Sequence, residues 1–317
     1  MRKINLGKSE LSVSQLGLGC INFGTTTSGD NSFRILDAYV DHGGNFLDTS
    51  NNYAVWNEGS AGGHDSERVI GSWLASSGMR ERVIIATKIG ALPTGGGRDF
   101  SSMEGLARTT ILKAVEDSLL ALKTEYVDLL YLHVDDFNTP QEETLGALNE
   151  LIEMGVVREI GCSNFRPWRI ERARRICDEN DYQFFCAVQQ RFSYLSPALD
   201  ADFAPQVSGD KALDEYIRFY KDLTMVAHTS LLYGIYNQLA DEAADIVIDQ
   251  EAYDTAFNRK KLAQLKEEMK RTGVKNAVPW VLSWITKQFG GSVVLSTTSN
   301  PKHLVDNINY IRDHQNL

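Results

Sequence analysis

From residue 15 almost to the end of the chain, short runs of β-branched and other apolar residues alternate with longer amphipathic segments. The runs fall at 15–18, 45–47, 83–87, 127–132, 157–160, 185–188, 224–227 and 292–295, each short enough for a buried strand. Between them, apolar positions recur every three to four residues, the period of a helix. In 109–123, Ile111, Val115, Leu119 and Leu122 make one stripe, while Lys113, Glu116, Asp117 and Lys123 avoid it. Over 139–155, Thr139 reads as a helix N-cap, Pro140 as the first helical residue and Gly155 as the stop. Strand and helix repeated eight times, in units of roughly 30–40 residues, predict a closed (β/α)8 TIM barrel. An open doubly wound sheet is the alternative, but it wants glycines that open directly into a helix. The glycines of "LGLGCINFG" (16–24) are not followed by one. Two short alternating stretches around Gly7 and Lys8 predict an N-terminal β-hairpin, and 1–317 reads as one barrel domain.

A barrel changes how distant residues are read, because groups just beyond the carboxyl ends of its strands share one face. The stretch "NFLDTSNNY" (45–53) ends its strand at Asp48 and carries Tyr53 in the following loop; "VIIATK" ends at Lys88 and "LLYLH" at His133. Taken singly, each has a structural explanation: a turn-forming Asp, a packed Tyr, a snorkelling Lys, a hydrogen-bonded His. Together at matching strand ends they point to proton donation to an oxygen. A free phenol has a pKa near 10, too high for a ready general acid, and a neighbouring ammonium lowers it. Lys88 would supply that charge, Asp48 would hold Lys88, and His133 would hydrogen-bond the substrate oxygen.

Composition narrows the setting. A net charge of −10 argues against nucleic acid as the partner, and no apolar run approaches the ~20 residues that cross a bilayer. The start "MRKINLGKSE" lacks the apolar core of a signal peptide, so a cytoplasmic location is expected. Cys20, Cys162, Cys177 and Cys186 are too dispersed for a zinc knuckle or a redox pair and read as buried or half-buried thiols, and no metal site is expected.

With "NFLDTSNNY", "ATK" and "YLH" in order and at matching spacing, the sequence resembles the aldo-keto reductases over nearly its whole length. That resemblance implies an NAD(P)-dependent oxidoreductase interconverting a small-molecule carbonyl and its alcohol, by hydride transfer from a nicotinamide held across the barrel mouth. It implies catalytic roles for Asp48, Tyr53, Lys88 and His133. It places Ser163, Asn164 and Gln189 at the carboxamide, with Gly19 and Cys20 also beside the cofactor. His228 takes the ring-stacking position usually held by Tyr, Phe or Trp, with Thr229, Leu231 and Gly234 in a pyrophosphate loop. Thr297, Thr298, Ser299, Lys302 and His303 form the adenosine-phosphate clamp, and Asp306 and Asn307 lie toward adenine.

NADP is the family's usual cofactor, yet the clamp offers mainly Lys302 where relatives carry more Lys and Arg, so NAD remains open. Ile21, Phe23, Trp56 and Val134 are the expected substrate walls. The small Val134 implies a wide pocket, for a sugar or another polar aldehyde. Two rivals stand beside this reading: a nicotinamide-binding regulatory subunit with little turnover, and a lyase or isomerase using Lys88 as a Schiff-base amine.

Overall fold

The computed structural model describes residues 1–240 and 246–313. Two short antiparallel strands, β1 (Lys3–Asn5) and β2 (Ser12–Ser14), form the expected hairpin, with Ile4 opposite Val13. Eight parallel strands follow: β3 (Leu16–Gly19), β4 (Phe46–Asp48), β5 (Ile84–Ile89), β6 (Val127–Leu132), β7 (Val157–Ser163), β8 (Ala187–Arg191), β9 (Thr224–His228) and β10 (Val293–Ser296). They pair in chain order, and β10 closes on β3 through Leu295 opposite Gly17. The chain is a (β/α)8 barrel with an N-terminal hairpin.

Most strands end later than their apolar runs. Five of the eight barrel strands end on a polar residue, Asp48, Ser163, Arg191, His228 or Ser296, and a hydrophobicity pattern stops short of them. They pair because the barrel closes around them, and that placement positions the site.

The helices pack outside. They are α1 (Gly29–Asp41), α2 (Asp65–Ser77), α3 (Arg108–Leu122), α4 (Gln141–Glu153), α5 (Pro167–Asn180), α6 (Lys211–Tyr220), α7 (Ala256–Thr272), α8 (Ala277–Ile285) and α9 (Pro301–Asp313). On α3 the buried face carries Ile111, Val115 and Leu122, with Ala114 and Ser118 filling the space beside the half-buried Leu119. Helix α4 starts one residue later than expected. Pro140 occupies the cap, and the Thr139 hydroxyl donates to Asp136 Oδ2 at 2.7 Å instead of capping the helix. The seventh unit holds α7 in addition to α8, after 3-10 turns at Leu232–Ala240 and Glu251–Tyr253. No helix among the described residues is long and apolar enough to cross a membrane.

Inside the barrel lie Phe46, Ala86, Leu129, Tyr131, Ala187, Val226, Val293 and Leu295, joined from below by Leu6 and Val13 of the hairpin segment. Two interior glycines make room for the large rings. A Cβ at Gly17 would meet the Phe46 ring at 2.8 Å, and one at Gly161 would meet the Tyr131 ring at 2.6 Å. Such contacts would force the barrel apart.

Candidate active site

Because side chains alternate along a strand, Phe46 and Asp48, Ala86 and Lys88, Ala187 and Gln189, and Val226 and His228 share the interior face in pairs. The apolar member of each pair belongs to the interior core, and the polar member stands nearer the carboxyl end. His133 lies two residues beyond Tyr131, just past β6. Register brings these groups level, with Asp48 beside Gly19 and Ala86, and Lys88 beside Tyr131. The loop that carries Tyr53 is pinned to β5, since Thr49 N donates to Ala86 O at 2.8 Å and Asn51 N to Lys88 O at 3.1 Å.

Lys88 is the hub. Its Nζ donates to Asp48 Oδ1 at 2.6 Å, to the Thr49 carbonyl at 2.8 Å and to the Tyr53 phenol oxygen at 2.8 Å. An ammonium has three donors, and all are used. Tyr53 donates its own hydrogen to Asp48 Oδ1 at 3.0 Å, and Gln189 Nε2 donates to Asp48 Oδ2 at 2.7 Å. Asp48 and Lys88 are 0% exposed and Tyr53 is 7% exposed. His133 completes the group: its ring meets Tyr53 edge-on, centroids 5.9 Å apart.

Burial, reinforced by the Asp48 carboxylate, raises the Tyr53 pKa well above the usual phenol value. This corrects the expectation of a lowered pKa. Asp48 holds Lys88 as expected, and its Oδ1 bonds the phenol as well. Burial also lowers the Lys88 pKa, against the opposing pull of Asp48. Burial and the Lys88 charge together hold His133 well below the usual imidazole range, so it is neutral.

Neutral His133 has one ring hydrogen, and Ser50 governs where it sits. Ser50 Oγ lies 3.1 Å from His133 Nδ1, 2.8 Å from Asn52 Oδ1 and 3.2 Å from Lys88 O. With the serine hydrogen turned to Asn52, Nδ1 carries the imidazole hydrogen. Turned to Nδ1, it leaves the hydrogen on Nε2, ready to donate to a carbonyl oxygen.

A second buried carboxylate went unread in the sequence. Glu67, fully buried on α2, accepts from Thr87 Oγ1 at 2.5 Å and pairs with His64 Nδ1 at 2.6 Å. The residue next to Lys88 is thereby tied to α2. The only sequence signal was a polar pair three apart at the start of an amphipathic helix.

Burial works against a charged His64, but the Glu67 hydrogen bond and charge outweigh it and its pKa rises. A raised folded-state pKa stabilises fully below the unfolded value and is lost as pH climbs through the folded value. His64→Asn, which tolerates the positive φ of 59° at this position, should therefore be less stable than the parent in mild acid. In urea titrations between about pH 5.5 and pH 9 that deficit should shrink as pH rises; a constant deficit would show that the pair carries no charge linkage.

The residues expected at a cofactor fall into two groups. At the phosphate end, Asn300 caps α9, its Oδ1 accepting from Lys302 N at 3.0 Å. Thr297, Ser299, Lys302, His303 and Asp306 are exposed there, Thr298 is half-buried and Asn307 is buried. The buried Ser296 hydroxyl has no partner among the described residues. A Cβ on Gly19 would meet Thr297 Oγ1 at 2.6 Å, so glycine allows β3 and this rim to meet. Thr229 and Leu231 are half-buried, and Gly234 has a φ of 98° within a kinked turn.

At the ring end the polar groups are partly engaged. Asn164 Nδ2 donates to His133 O at 2.8 Å and to Ser163 Oγ at 3.1 Å, while its Oδ1 accepts from Val207 N. Ser163 keeps its own hydroxyl hydrogen, and Gln189 holds Asp48. His228 is half-buried, with Nδ1 2.9 Å from Thr229 Oγ1; burial, then the charges of Arg191 and Lys88, bring its pKa to about 3. Cys20 is fully buried, and burial raises its thiol pKa.

Of the expected substrate walls, Ile21 is half-buried and Trp56 is 38% exposed, its ring 6.4 Å from that of Phe100. Phe23 and Val134 are buried, at 1% and 3% exposed.

The model of the aldo/keto reductase family matches residues 15–315, nearly the whole barrel. The chain belongs to this family. The uncharacterized oxidoreductase YrpG of Bacillus subtilis is 33% identical over 63% of this chain and 60% of its own length. The norsolorinic acid reductase stcV of Emericella nidulans is 34% identical over 62% of this chain and 51% of its own. An aryl-alcohol dehydrogenase of Pestalotiopsis microspora, GME11368, is 32% identical over 61% and 50%. The match thus spans half to three fifths of these relatives' lengths.

Proposed function

We propose that this aldo/keto reductase interconverts an aldehyde or ketone and its alcohol, with Tyr53 giving or taking the proton at oxygen. The observation that carries the reading is the phenol set between Lys88 Nζ at 2.8 Å and Asp48 Oδ1 at 3.0 Å, at the end of the barrel interior. Tyr53 rests as a neutral phenol aimed at Asp48. To protonate a substrate oxygen its hydroxyl turns away from Asp48, which keeps its bonds from Lys88 and Gln189. As negative charge grows on the phenol oxygen, the Lys88 ammonium already donating to it strengthens that bond. His133, given a hydrogen on Nε2, steadies the carbonyl oxygen. A Schiff-base role for Lys88 fits poorly, because three acceptors hold Nζ as an ammonium and leave no lone pair for attack.

The cofactor proposed is NAD(P)H, which when bound supplies the hydride to the carbonyl carbon. The phosphate end fits such a group: an orphaned Ser296 hydroxyl, exposed Thr297 and Ser299, and Lys302 on the first turn of a capped helix. At the ring end, Ser163 and Gln189 are the groups best placed to meet a carboxamide, since Asn164 is already committed. Lys302 is a single cation where a 2′-phosphate would favour an arginine fork. We expect kcat/KM for NADH within about tenfold of that for NADPH, a difference below about 1.4 kcal/mol. A preference for NADPH far beyond that would assign 2′-phosphate recognition to groups other than Lys302.

For substrate, Trp56 and Phe100 favour a carbonyl attached to an aromatic or apolar body over a sugar. The names of the fungal relatives, a norsolorinic acid reductase and an aryl-alcohol dehydrogenase, agree with that choice. The test is consumption of NADH and NADPH against a panel of aryl aldehydes, aryl ketones and aldoses. Turnover of aldoses alone would reverse the substrate assignment, and no turnover of any carbonyl would favour a binding protein instead of an enzyme.

A further inference from the structure

A sizeable cavity lies at the opposite end of the barrel from Tyr53. It measures about 760 Å³, within the range of small-molecule sites, and opens between the N-terminal hairpin and the ends of α6 and α8. Four cations line it: Arg2, Arg218, Lys221 and Lys287. No carboxylate does, although the chain holds 42 acidic residues against 32 Lys and Arg. Arg218 is paired along its own helix with Asp214 at 2.8 Å. Arg2, Lys221 and Lys287 form no salt bridge with any described residue, whereas Arg80, Arg158, Arg174 and Arg259 elsewhere on the outer layer are each held by an aspartate. The floor is apolar, from Ile217, Leu223 and Phe289, all buried.

Ordinary solubilising lysines stand apart and are interspersed with acids. Here like charges converge on a concave, partly apolar wall, which focuses a positive field into the cleft of an otherwise acidic protein. Guanidinium and ammonium groups together suit phosphate oxygens, which accept several charge-assisted hydrogen bonds at once. We propose that this cleft binds a phosphorylated small molecule, its phosphate held by Arg2, Lys221 and Lys287 and its flat or apolar body seated on Phe289 and Leu223. The site is independent of the reaction proposed for Tyr53, being set below the hairpin that plugs the barrel.

Two probes separate the parts of the claim. Inorganic tripolyphosphate tests the cations alone, and phenyl phosphate against inorganic phosphate tests the floor. Both should raise the thermal midpoint of the full chain saturably at millimolar concentration, since a ligand that binds only the folded state stabilises it. In Lys221→Glu/Lys287→Glu, whose side chains are exposed and make no bond the fold depends on, affinity for tripolyphosphate should fall about tenfold or more, as two attractions become repulsions. Lys302→Glu, at the opposite rim, should leave the shift intact.

No saturable shift in the parent protein would overturn the proposal. So would a shift that survives the double reversal and disappears in Lys302→Glu, which would place the phosphate at the catalytic end. A parent protein that elutes as a dimer, and becomes monomeric in the double reversal or in high salt, would assign the cleft to an acidic surface of a second copy instead. None of these results depends on catalytic turnover, so the outcome stands apart from that of the carbonyl panel.

Discussion

Tyr53→Phe should lower kcat for carbonyl reduction by about 10²–10⁴-fold, the range usual for loss of a general acid. The substitution keeps the ring, its edge contact with His133 and its face toward Lys88 Nζ, 4.4 Å from the ring centroid. It removes only the hydroxyl, and with it one hydrogen bond to Asp48 and one from Lys88. Net loss of such bonds costs about 0.5–1.5 kcal/mol each, so the variant should fold and still bind nicotinamide nucleotide. Cofactor fluorescence titration with unchanged Kd, alongside collapsed turnover, would separate chemistry from binding.

The raised phenol pKa gives this prediction a pH signature. The phenol stays protonated through neutral pH, so reduction by the parent enzyme should be flat there and decline only in strong alkali. Alcohol oxidation needs the phenolate and should rise with pH over the same interval. Near-parental turnover in Tyr53→Phe would remove the phenol from the chemistry. His133 could not simply take its place, because its pKa lies well below the usual range and little imidazolium is present to donate.

How much of this was readable beforehand depends on what each residue reveals alone. The strand–helix alternation predicted the barrel because buried parallel strands and amphipathic helices leave strong periodic signals. Asp48, Lys88 and His133 were visible as polar breaks at the ends of apolar runs, and Tyr53 by its place in the loop after the first of them. What the sequence could not give was who bonds to whom. That Asp48 Oδ1 would accept from both Lys88 and Tyr53 depends on angstrom-scale register between β4 and β5, and burial of the phenol, reinforced by that carboxylate, reversed the expected direction of its pKa. Ser50 and Glu67 were hidden because small polar residues in a loop and a Glu on a helix are commonplace. Helix α7 was unassigned because its apolar positions, Leu262, Leu265 and Met269, make too thin a stripe to stand out.

The buried ion pair allows stability and chemistry to be told apart. Lys88→Met should destabilise the fold by about 3–5 kcal/mol, because it leaves the Asp48 carboxylate buried without its counter-charge. Gln189 Nε2 and the Tyr53 hydroxyl still donate to Asp48, which favours the lower part of that range. Activity should fall about 10²–10³-fold, the usual loss when one preorganised donor to a developing anion is removed.

The double variant Lys88→Met/Asp48→Asn decides the cause. With both charges gone, most of the lost stability should return, since a neutral pair of similar volume is often tolerated in place of a buried salt bridge. Activity should not return, because the phenolate would still lack its ammonium. Urea unfolding of the parent, both single variants and the double variant gives the coupling energy directly. A double variant as unstable as the sum of the singles would mean that Asp48 and Lys88 do not act as a pair. If removing Asp48 from the Lys88→Met background restored activity, the essential partner of Tyr53 would be relief from the carboxylate and not the charge of the lysine.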